Sequence, residues 1–246
     1  MASFLKIEPG KIKRYFLSKT RVFEITTDTF FVVFEETVDF KPGQFAMVGT
    51  ETTLTRKPFT LGLWDGRLAI SVKVVGEGSR YIVETDKPIE IIAPLGNPFR
   101  PPETKGAVLV APSCVAEGIH LAETFDADLY ICSKTPLNAE FLAMVTAELD
   151  RVKCVVGDEA FIRLLDEITE KGYPWIFVSG SKKMEEIAYK RIRSKSKEIE
   201  VYLSLNEYMG CGIGACKSCA VETVDGIKHV CTDGPVFRGD AVWTTQ

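Results

Sequence analysis

The sequence has few histidines, no long hydrophobic run and little net charge, and each scarcity excludes a class of protein. His120 and His229 are the only histidines, so a mononuclear metal site built on several imidazoles is excluded. No run of about 18 apolar residues is present, which argues against a membrane-spanning helix. A net charge of −4 argues against binding to nucleic acid or to a membrane surface.

The first residues and the cysteine content indicate the cellular compartment in which the protein is expected. Residues 1–6 lack the architecture of a secretory signal peptide. The seven cysteines are an odd number, and without an export signal they indicate thiols in a reducing environment. We therefore expect a cytoplasmic protein. Its 246 residues, 46% hydrophobic and 26% charged, suffice for two small globular domains.

Four of the seven cysteines fall within a stretch of 21 residues that is rich in glycine and alanine. Cys211, Cys216, Cys219 and Cys231 have the spacing Cys-x4-Cys-x2-Cys-x11-Cys, the plant-type pattern for a [2Fe–2S] cluster held by four thiolates. Small residues between them permit the tight turns that bring sulfur atoms and backbone N–H groups to a cluster. The four cysteines are therefore the predicted cluster ligands.

Other interpretations of this stretch are weaker. A structural zinc site usually combines two Cys-x2-Cys pairs and only one is present, yet zinc remains an alternative. Disulfides require an oxidising compartment. Gly210, Gly212 and Ala215 formally match a dinucleotide-binding fingerprint, but cysteines interrupt the glycines. The residues that follow also predict a strand instead of a helix.

The first hundred residues predict a small antiparallel β-barrel. Runs rich in β-branched and aromatic residues alternate with turn residues, as in compact all-β domains. The predicted strands cover residues 11–18, 21–27, 29–36, 44–49, 59–64, 67–75 and 89–93, with one short helix at 78–84. Arg56, Lys57 and the helix start after residue 75 could hold a pyrophosphate, although a solvated loop with a helix cap has the same pattern.

Beyond residue 105, apolar strands alternate with helical patterns, which predicts a doubly wound parallel sheet. The predicted strands are 107–111, 127–133, 152–156, 175–179 and 199–205, and the predicted helices are 114–124, 138–149, 159–171 and 182–194. The first strand-to-helix turn of such a sheet usually binds the nucleotide. Here that turn is poor in glycine, contains Pro112 and places Glu117 in the first helical turn, where a carboxylate would repel a pyrophosphate.

The order of barrel, nucleotide-type sheet and cluster loop resembles the electron-transfer subunits of class 1B dihydroorotate dehydrogenases, in the ferredoxin–NADP reductase superfamily. The resemblance covers nearly the whole chain and is most specific at residues 209–219 and 230–237, which contain the four cysteines. It implies an FAD-binding β-barrel at residues 1–102, a nucleotide-binding-like α/β domain at 103–205 and a [2Fe–2S] subdomain at 206–246.

The resemblance also implies which residues bind FAD. In the family an Arg-x-aromatic-Ser segment grips the flavin, and a strand with the following helix start holds the ribityl chain and pyrophosphate. The implied FAD-binding residues are Lys57, Pro58, Phe59, Thr60, Ser71, Val72, Lys73, Gly78 and Ser79. Lysine replaces the usual arginine, so it supplies the charge but not the two-pronged hydrogen bonding.

Two segments depart from the family pattern. Relatives carry a glycine-rich turn where this chain has residues 111–115, and a Cys-Gly-Pro motif where it has residues 179–181. In relatives both segments approach NAD(H). We therefore expect a degenerate NAD(H) site beside intact FAD and [2Fe–2S] sites.

The implied function is electron transfer between FAD and the cluster, to or from a catalytic subunit that carries FMN and oxidises dihydroorotate in pyrimidine biosynthesis. The subunits would form a hetero-oligomer, and the cofactors would carry the chemistry without a side-chain acid or base. Two alternatives remain: the small subunit of a ferredoxin–NADP oxidoreductase or sulfide dehydrogenase-like complex, and a zinc-stabilised binding module. The latter predicts a colourless protein that contains zinc and no flavin.

Overall fold

Two antiparallel sheets form the N-terminal part of the protein. The structure is a computed structural model that describes residues 12–243, so the first eleven and last three residues of the predicted domains lie outside it. The elements are β1 (Lys13–Leu17), β2 (Lys19–Thr26), β3 (Thr29–Phe34), β4 (Phe45–Val48), β5 (Lys57–Thr60), β6 (Gly62–Trp64), β7 (Arg67–Lys73), α1 (Glu77–Glu84) and β8 (Ile89–Leu95). One sheet has the order β1-β8-β4-β5 and the other the order β2-β3-β7-β6.

The predicted strand at residues 59–64 is wrong, because these residues belong to two strands in different sheets. Leu61 separates β5 from β6, is fully buried and donates its N–H to the carbonyl of Gln44 over 3.1 Å. Around it pack Val32 and Leu68 of one sheet and Ile91 of the other. Since apolar side chains of both sheets meet there, the two sheets share one core.

The middle of the chain forms the predicted parallel sheet with helices between its strands. Its elements are β9 (Ala107–Val110), α2 (Val115–Thr124), β10 (Asp128–Ser133), α3 (Ala139–Glu148), β11 (Val152–Val156), α4 (Asp158–Glu170), β12 (Trp175–Ser179), α5 (Lys182–Lys195) and β13 (Glu200–Ser204). The parallel strands have the order β11-β10-β9-β12-β13. Strands β9 and β12 are buried at every residue, as expected where helices cover both faces. The order reverses between β9 and β12, where such sheets usually bind ligands.

The C-terminal segment returns to this sheet. It comprises β14 (Ala220–Thr223), β15 (Gly226–His229), α6 (Val230–Asp233), β16 (Val236–Arg238) and α7 (Gly239–Val242). Strands β14 and β15 form a hairpin, whereas β16 pairs antiparallel with β13 and becomes the sixth strand of the sheet. The predicted cluster subdomain thus shares a sheet with the predicted α/β domain. Within residues 12–243, no helix has the length and apolar character needed to cross a membrane.

Helix α2 connects the parallel sheet to the antiparallel sheets. The Ala116 N–H donates to the Ser71 hydroxyl on β7 over 2.9 Å. A Cβ atom on Gly62 would lie only 2.0 Å from the Ala116 carbonyl oxygen, so β6 touches the backbone of α2 directly. This contact requires glycine at position 62 and places the carboxyl ends of β9 and β12 beside β5 and β7.

Candidate functional site

The four predicted cluster ligands lie together between β13 and α6. Cys219 and Cys231 are buried, with their sulfur atoms 3.3 Å apart. Cys211 and Cys216 lie closer to solvent, and the Cys216 N–H donates to Sγ of Cys211 over 3.4 Å. The thiols therefore form an inner and an outer pair, an arrangement that suits a cluster in which two irons share four cysteine ligands.

Further backbone N–H groups point at these sulfur atoms. The Gly214 N–H lies 3.2 Å from Sγ of Cys231, the Ile213 N–H lies 3.5 Å from Sγ of Cys211, and the Cys231 N–H lies 3.5 Å from Sγ of Cys219. Such donors stabilise thiolates and tune the potential of a cluster. Among residues 12–243, no group of three His, Cys, Asp or Glu side chains is arranged to bind a single metal ion. Four thiols with N–H groups directed at them fit a [2Fe–2S] cluster.

Ser218 favours the thiolate form of Cys216, one of the outer thiols. Its hydroxyl lies 3.1 Å from Sγ of Cys216 and accepts the Gly210 N–H over 3.0 Å. Hydrogen bonding from Ser218, by its hydroxyl and then its N–H, lowers the pKa of Cys216 to about 6. The thiolate, which is the form that binds iron, is therefore favoured at neutral pH.

The cluster loop packs directly on the first antiparallel sheet. Gly212 has a φ of 74°, and a Cβ there would lie 2.7 Å from Cγ of Met47 on β4. Farther along, the Asn97 side chain donates to the Thr232 carbonyl over 2.9 Å, and the Asn97 N–H donates to the Gly234 carbonyl over 2.7 Å. The cysteine loop is therefore anchored to β4 and to the end of β8, and β4 lies beside β5 in the same sheet.

Gly212→Ala should reduce the iron content of the purified protein and lower its unfolding temperature. The left-handed backbone costs an alanine roughly 1–2 kcal/mol, and the contact with Met47 adds to that cost. Gly226→Ala is the matched control, because Gly226 has a φ of 97° but open space around it. Iron and sulfide analysis should show cluster loss in the first variant alone; equal loss in both would mean that backbone strain, not the contact with β4, determines the result.

Lys57 and the beginning of α1 lie side by side. The Lys57 ammonium donates to the Thr55 carbonyl over 2.9 Å, and its Cε would lie 3.0 Å from a Cβ on Gly78. A Cβ on Gly76 would meet no atom within 4 Å. The first turn of a helix leaves N–H groups without intrahelical partners, so an ammonium and open space beside them fit a phosphate group. The Glu77 carboxylate in the same turn opposes that charge.

Arg56, the other basic residue of this segment, forms an ion pair with a carboxylate. Its guanidinium forms a two-pronged pair with the Glu90 carboxylate, with Nε and Nη2 each 3.0 Å from an oxygen. Hydrogen bonding from Arg56 in turn lowers the pKa of Glu90. Lys57 is thus the basic residue of the pair that lies at the helix start.

The other implied FAD-binding residues have varied surroundings. Pro58, Phe59 and Thr60 are half-buried along β5. The Ser79 hydroxyl accepts the N–H groups of Val75 and Gly76 over 2.9 and 3.1 Å and so fixes the turn before α1. The remaining three residues lie on β7: the Ser71 hydroxyl accepts from α2, Val72 is part of the core, and Lys73 pairs with Asp28 over 3.3 Å. The structure therefore brings Lys57 and Gly78 together, whereas Lys73 forms an ion pair away from them.

The crossover turn between β9 and α2 has few free N–H groups. The Ala111 N–H donates to the Ser179 carbonyl, and the Cys114 N–H donates to the Ala111 carbonyl, both over 2.9 Å. The Ala116 N–H is bound to Ser71, and Pro112 has no N–H. A pyrophosphate at this position would need several unoccupied N–H groups. Three N–H groups of this turn are therefore already engaged within the protein.

The position of Glu117 in the first turn of α2 suggested a carboxylate facing the nucleotide site. The structure places this side chain in the interior instead. Its side chain is fully buried and points to the carboxyl ends of β12 and β13. The Ser179 hydroxyl donates to Oε2 over 2.8 Å, and the Ser204 hydroxyl donates to Oε1 over 3.1 Å. The Thr60 hydroxyl also approaches the carboxyl and stabilises its charged form. Glu117 thus links α2 to the ends of β12 and β13.

A second buried carboxyl lies on α5. Glu185 is 1% exposed and accepts the Gly180 N–H over 3.3 Å. Burial raises the pKa of Glu117 to about 7, and burial together with the charge of Glu117 raises the pKa of Glu185 to about 8. Both groups therefore titrate near neutral pH, at the point where the strand order of the sheet reverses.

Comparison with known proteins identifies the family. Residues 206–243 match the family described as the iron–sulfur cluster binding domain of dihydroorotate dehydrogenase B. A protein of Thermotoga petrophila, provisionally named dihydroorotate dehydrogenase B (NAD(+)), electron transfer subunit, is 44% identical over 93% of this chain and 98% of its own length. The chain belongs to this family of electron transfer subunits. A more distant member from Clostridium acetobutylicum is 28% identical over 82% of this chain and 85% of its own length.

Solved structures agree with membership of the dihydroorotate dehydrogenase B family at the level of the fold. An NADH-dependent reduced ferredoxin–NADP oxidoreductase superposes with a TM-score of 0.77 at 22% identity, covering 93% of this chain and 90% of that one. The ferredoxin reductase of carbazole 1,9a-dioxygenase gives 0.63 at 17% identity over 77% and 69% of the two chains. The predicted relation to ferredoxin–NADP reductases is thereby confirmed as a likeness of fold.

For this member of the dihydroorotate dehydrogenase B family, the four thiols predicted from sequence lie near one another in the structure, whereas sequence reasoning missed the buried hydroxyl and carboxyl groups. Glu117 was noticed only as a charge at a helix start. Ser179, Ser204 and Glu185 carried no signal, because serine at a strand end and glutamate in a basic helix are ordinary. Together with Glu117 they lie on two strands and two helices, β12, β13, α2 and α5, that only the folded chain brings together.

Proposed function

We propose that the protein is the electron transfer subunit of a dihydroorotate dehydrogenase and binds FAD and a [2Fe–2S] cluster. Its partner would be a catalytic subunit that carries FMN, and the two would form a hetero-oligomer in the cytoplasm. The observation that carries this proposal is the packing of the four-cysteine loop on β4, which lies next to β5 with its implied FAD-binding residues. Such an arrangement puts a one-electron carrier beside a two-electron carrier.

Each part of the chain has a defined task in this proposal. The two antiparallel sheets form the FAD-binding barrel, with Lys57 and the beginning of α1 at the pyrophosphate. Cys211, Cys216, Cys219 and Cys231 hold the cluster, and residues 103–205 form a nucleotide-binding-like domain. When bound, the flavin would supply the ability to exchange electrons in pairs and singly. The protein contributes position, N–H donors and exclusion of water.

Lys57→Met should weaken FAD binding by about 10- to 100-fold. Loss of one hydrogen bond from an ionised group costs about 1.5–3 kcal/mol, and tenfold in affinity corresponds to about 1.4 kcal/mol. Lys87→Met is the control, because Lys87 is exposed and pairs with Glu51 over 2.7 Å. Titration of the flavin-free proteins with FAD, followed by flavin fluorescence, measures both affinities. Equal affinity in the two variants would contradict the assignment of Lys57.

NADH should reduce the flavin slowly or not at all. The N–H groups of Ala111, Cys114 and Ala116 are already bound, so the crossover turn offers little to a pyrophosphate. Anaerobic addition of NADH, followed at the flavin absorbance band, tests this expectation, with dithionite as the control that reduces the same flavin. Rapid bleaching by NADH would show that the nucleotide binds by other contacts.

The absorbance spectrum of the anaerobically purified protein tests the proposal as a whole. Flavin bands with broad iron–sulfur absorbance would support it, whereas a colourless protein containing zinc would contradict it. Copurification with a flavin-bearing partner and reduction of the complex by dihydroorotate would then identify the catalytic subunit. Reduction by a different partner would instead indicate a ferredoxin–NADP oxidoreductase or sulfide dehydrogenase-like complex, whose fold this chain shares with one solved oxidoreductase.

A further inference from the structure

Asn97 links the first antiparallel sheet to the segment that carries the fourth predicted cluster ligand. It lies two residues beyond the end of β8, and its side chain donates to the Thr232 carbonyl over 2.9 Å. Its own N–H donates to the Gly234 carbonyl over 2.7 Å. Thr232 directly follows Cys231, and both belong to α6, which has only four residues. A single residue of the first sheet therefore holds the short helix of Cys231 by two hydrogen bonds.

The chain around Asn97 is itself held by the residues at the start of β4. The Gln44 side chain donates to the Gly96 carbonyl over 2.8 Å. A Cβ atom on Gly96 would lie 2.8 Å from Cδ of Pro235 and 3.0 Å from the ring of Phe45, so Gly96 fits closely between these two side chains. Because the packing is this close, Asn97 has little room to shift relative to β4.

Gln44 also bonds the end of the strand that carries implied FAD-binding residues. Its carbonyl accepts the N–H of Leu61 over 3.1 Å, and Leu61 follows Thr60, the last residue of β5. Three hydrogen bonds in series therefore connect α6 with β5: Asn97 to Thr232, Gln44 to Gly96, and Leu61 to Gln44. We call Gln44, Gly96 and Asn97 the Asn97 bridge. It joins the proposed cluster site to the proposed flavin site.

Other contacts of the C-terminal segment lead away from β5. Strand β16 pairs with β13 of the parallel sheet, and the Leu205 N–H donates to the Pro235 carbonyl over 3.0 Å. Gly212 lies against Met47 of β4, a packing contact without the direction of a hydrogen bond. Loss of the Asn97 bridge would therefore leave the segment attached to the parallel sheet but able to shift relative to β5.

We propose that Asn97, held by Gln44, is the positioning residue that fixes the cluster segment relative to β5. This inference rests on the proposed function. A misplacement of about 1 Å between reacting groups can cost about 100-fold in rate, so two carriers need a rigid support. One electron leaves one carrier and enters the other at constant separation. No bond of the chain forms or breaks in this step, and no proton moves at Asn97.

Asn97→Leu tests the bridge without adding a charge, because it replaces the amide by methyl groups of similar size and removes the donor to Thr232. Gln44→Leu removes the other side-chain link of the bridge. Thr223→Val is the matched control. The Thr223 hydroxyl also donates to a backbone carbonyl of the C-terminal segment, that of Gly226 over 2.7 Å, but this bond lies within the hairpin of β14 and β15.

The kinetic experiment uses the anaerobic protein with both cofactors bound. Pulse radiolysis adds one electron to each protein molecule, and the absorbance of flavin and cluster follows its redistribution. We expect Asn97→Leu and Gln44→Leu to slow this step by about 10- to 100-fold, whereas Thr223→Val should match the parent. Redox titration should give parental midpoint potentials in all variants, so that a lower rate reflects separation and not driving force. A purely structural Asn97 would lower the stability and leave the rate unchanged.

A distance measurement gives a readout that needs no flavin. A nitroxide is attached to a ketone-bearing amino acid in place of the exposed Lys87, which lies two residues before β8. Pulsed EPR then measures the distances between this label and the paramagnetic, reduced cluster. The parent and Thr223→Val should give a narrow distance distribution, and Asn97→Leu a broader one.

Two results overturn the inference. The first is the parental rate in Asn97→Leu, and the second is a slower rate with the parental distance distribution. If Asn97→Leu fails to fold or loses its iron, the same two results in Gln44→Leu overturn it equally. A parent protein with a cluster but no flavin contradicts the proposed function instead, and the distance measurement then still tests the role of Asn97.

Discussion

Cys219→Ala should abolish the iron–sulfur absorbance and reduce the iron content from about two atoms per chain to nearly none. Cys219 is 1% exposed, and its sulfur lies 3.3 Å from that of Cys231, so no other thiol can replace it without moving the hairpin of β14 and β15. Loss of an outer-shell partner typically costs about 10- to 100-fold in metal affinity, and loss of a ligand itself should cost more. Electron transfer through the cluster should fall to background.

Cys154→Ala is the control for this variant. Cys154 lies on β11, opposite Ile131 of β10, at the edge of the parallel sheet and away from the cluster loop. Its replacement removes one half-buried sulfur and should cost about 1 kcal/mol of stability without loss of iron. Iron analysis and visible absorbance of the two proteins, purified side by side, give the comparison. A Cys219→Ala protein that keeps two irons would contradict the four-thiol assignment.

The parts of the protein that sequence predicted well are those determined by local pattern. The cysteine spacing predicts that four thiols come together, and they do so because only a loop and a hairpin separate them. The alternation of apolar strands and helices predicts the parallel sheet because each unit repeats the same hydrophobic periodicity. Helix starts such as Asn138 and Ser181, which cap α3 and α5 by accepting N–H groups, are likewise encoded within a few residues.

The parts that sequence missed depend on contacts between distant residues. The division of residues 59–64 into two strands follows from Leu61, which enters the core shared by two sheets, while its own neighbours look like one continuous strand. Pairing of β16 with β13 joins residues more than 30 positions apart. The burial of Glu117 requires α2 to lie against β6 and β7, a contact that glycine at position 62 permits and no local pattern reveals.

Glu117→Gln should stabilise the protein at pH 8 by about 3 kcal/mol and change its stability little at pH 5. The pKa of Glu117 is about 7 in the folded protein against 4.5 as its ordinary value, and each unit corresponds to about 1.36 kcal/mol. Between these two pH values the folded state binds more protons than the unfolded state. Stability therefore falls as the pH rises through this window, and the full cost of ionising the buried carboxyl is present above pH 7.

Glutamine removes this cost because it cannot ionise, and its carbonyl oxygen still accepts a hydrogen bond from Ser179 or Ser204. The measurement is urea unfolding at pH 5, 6, 7 and 8, followed by tryptophan fluorescence, which reports on the fully buried Trp175. Glu159→Gln is the control, since its side chain is 92% exposed and pairs only with Arg163. That variant should reproduce the parental pH profile within about 0.5 kcal/mol.

The burial that makes Glu117 costly to ionise in the folded state also keeps its proton bound up to about neutral pH. Glu185 has the same sign of shift, so its titration should also lower the stability as the pH rises from 4.5 to about 8. A Glu117→Gln protein whose stability declines between pH 5 and pH 7 as steeply as the parent would contradict the raised pKa of Glu117.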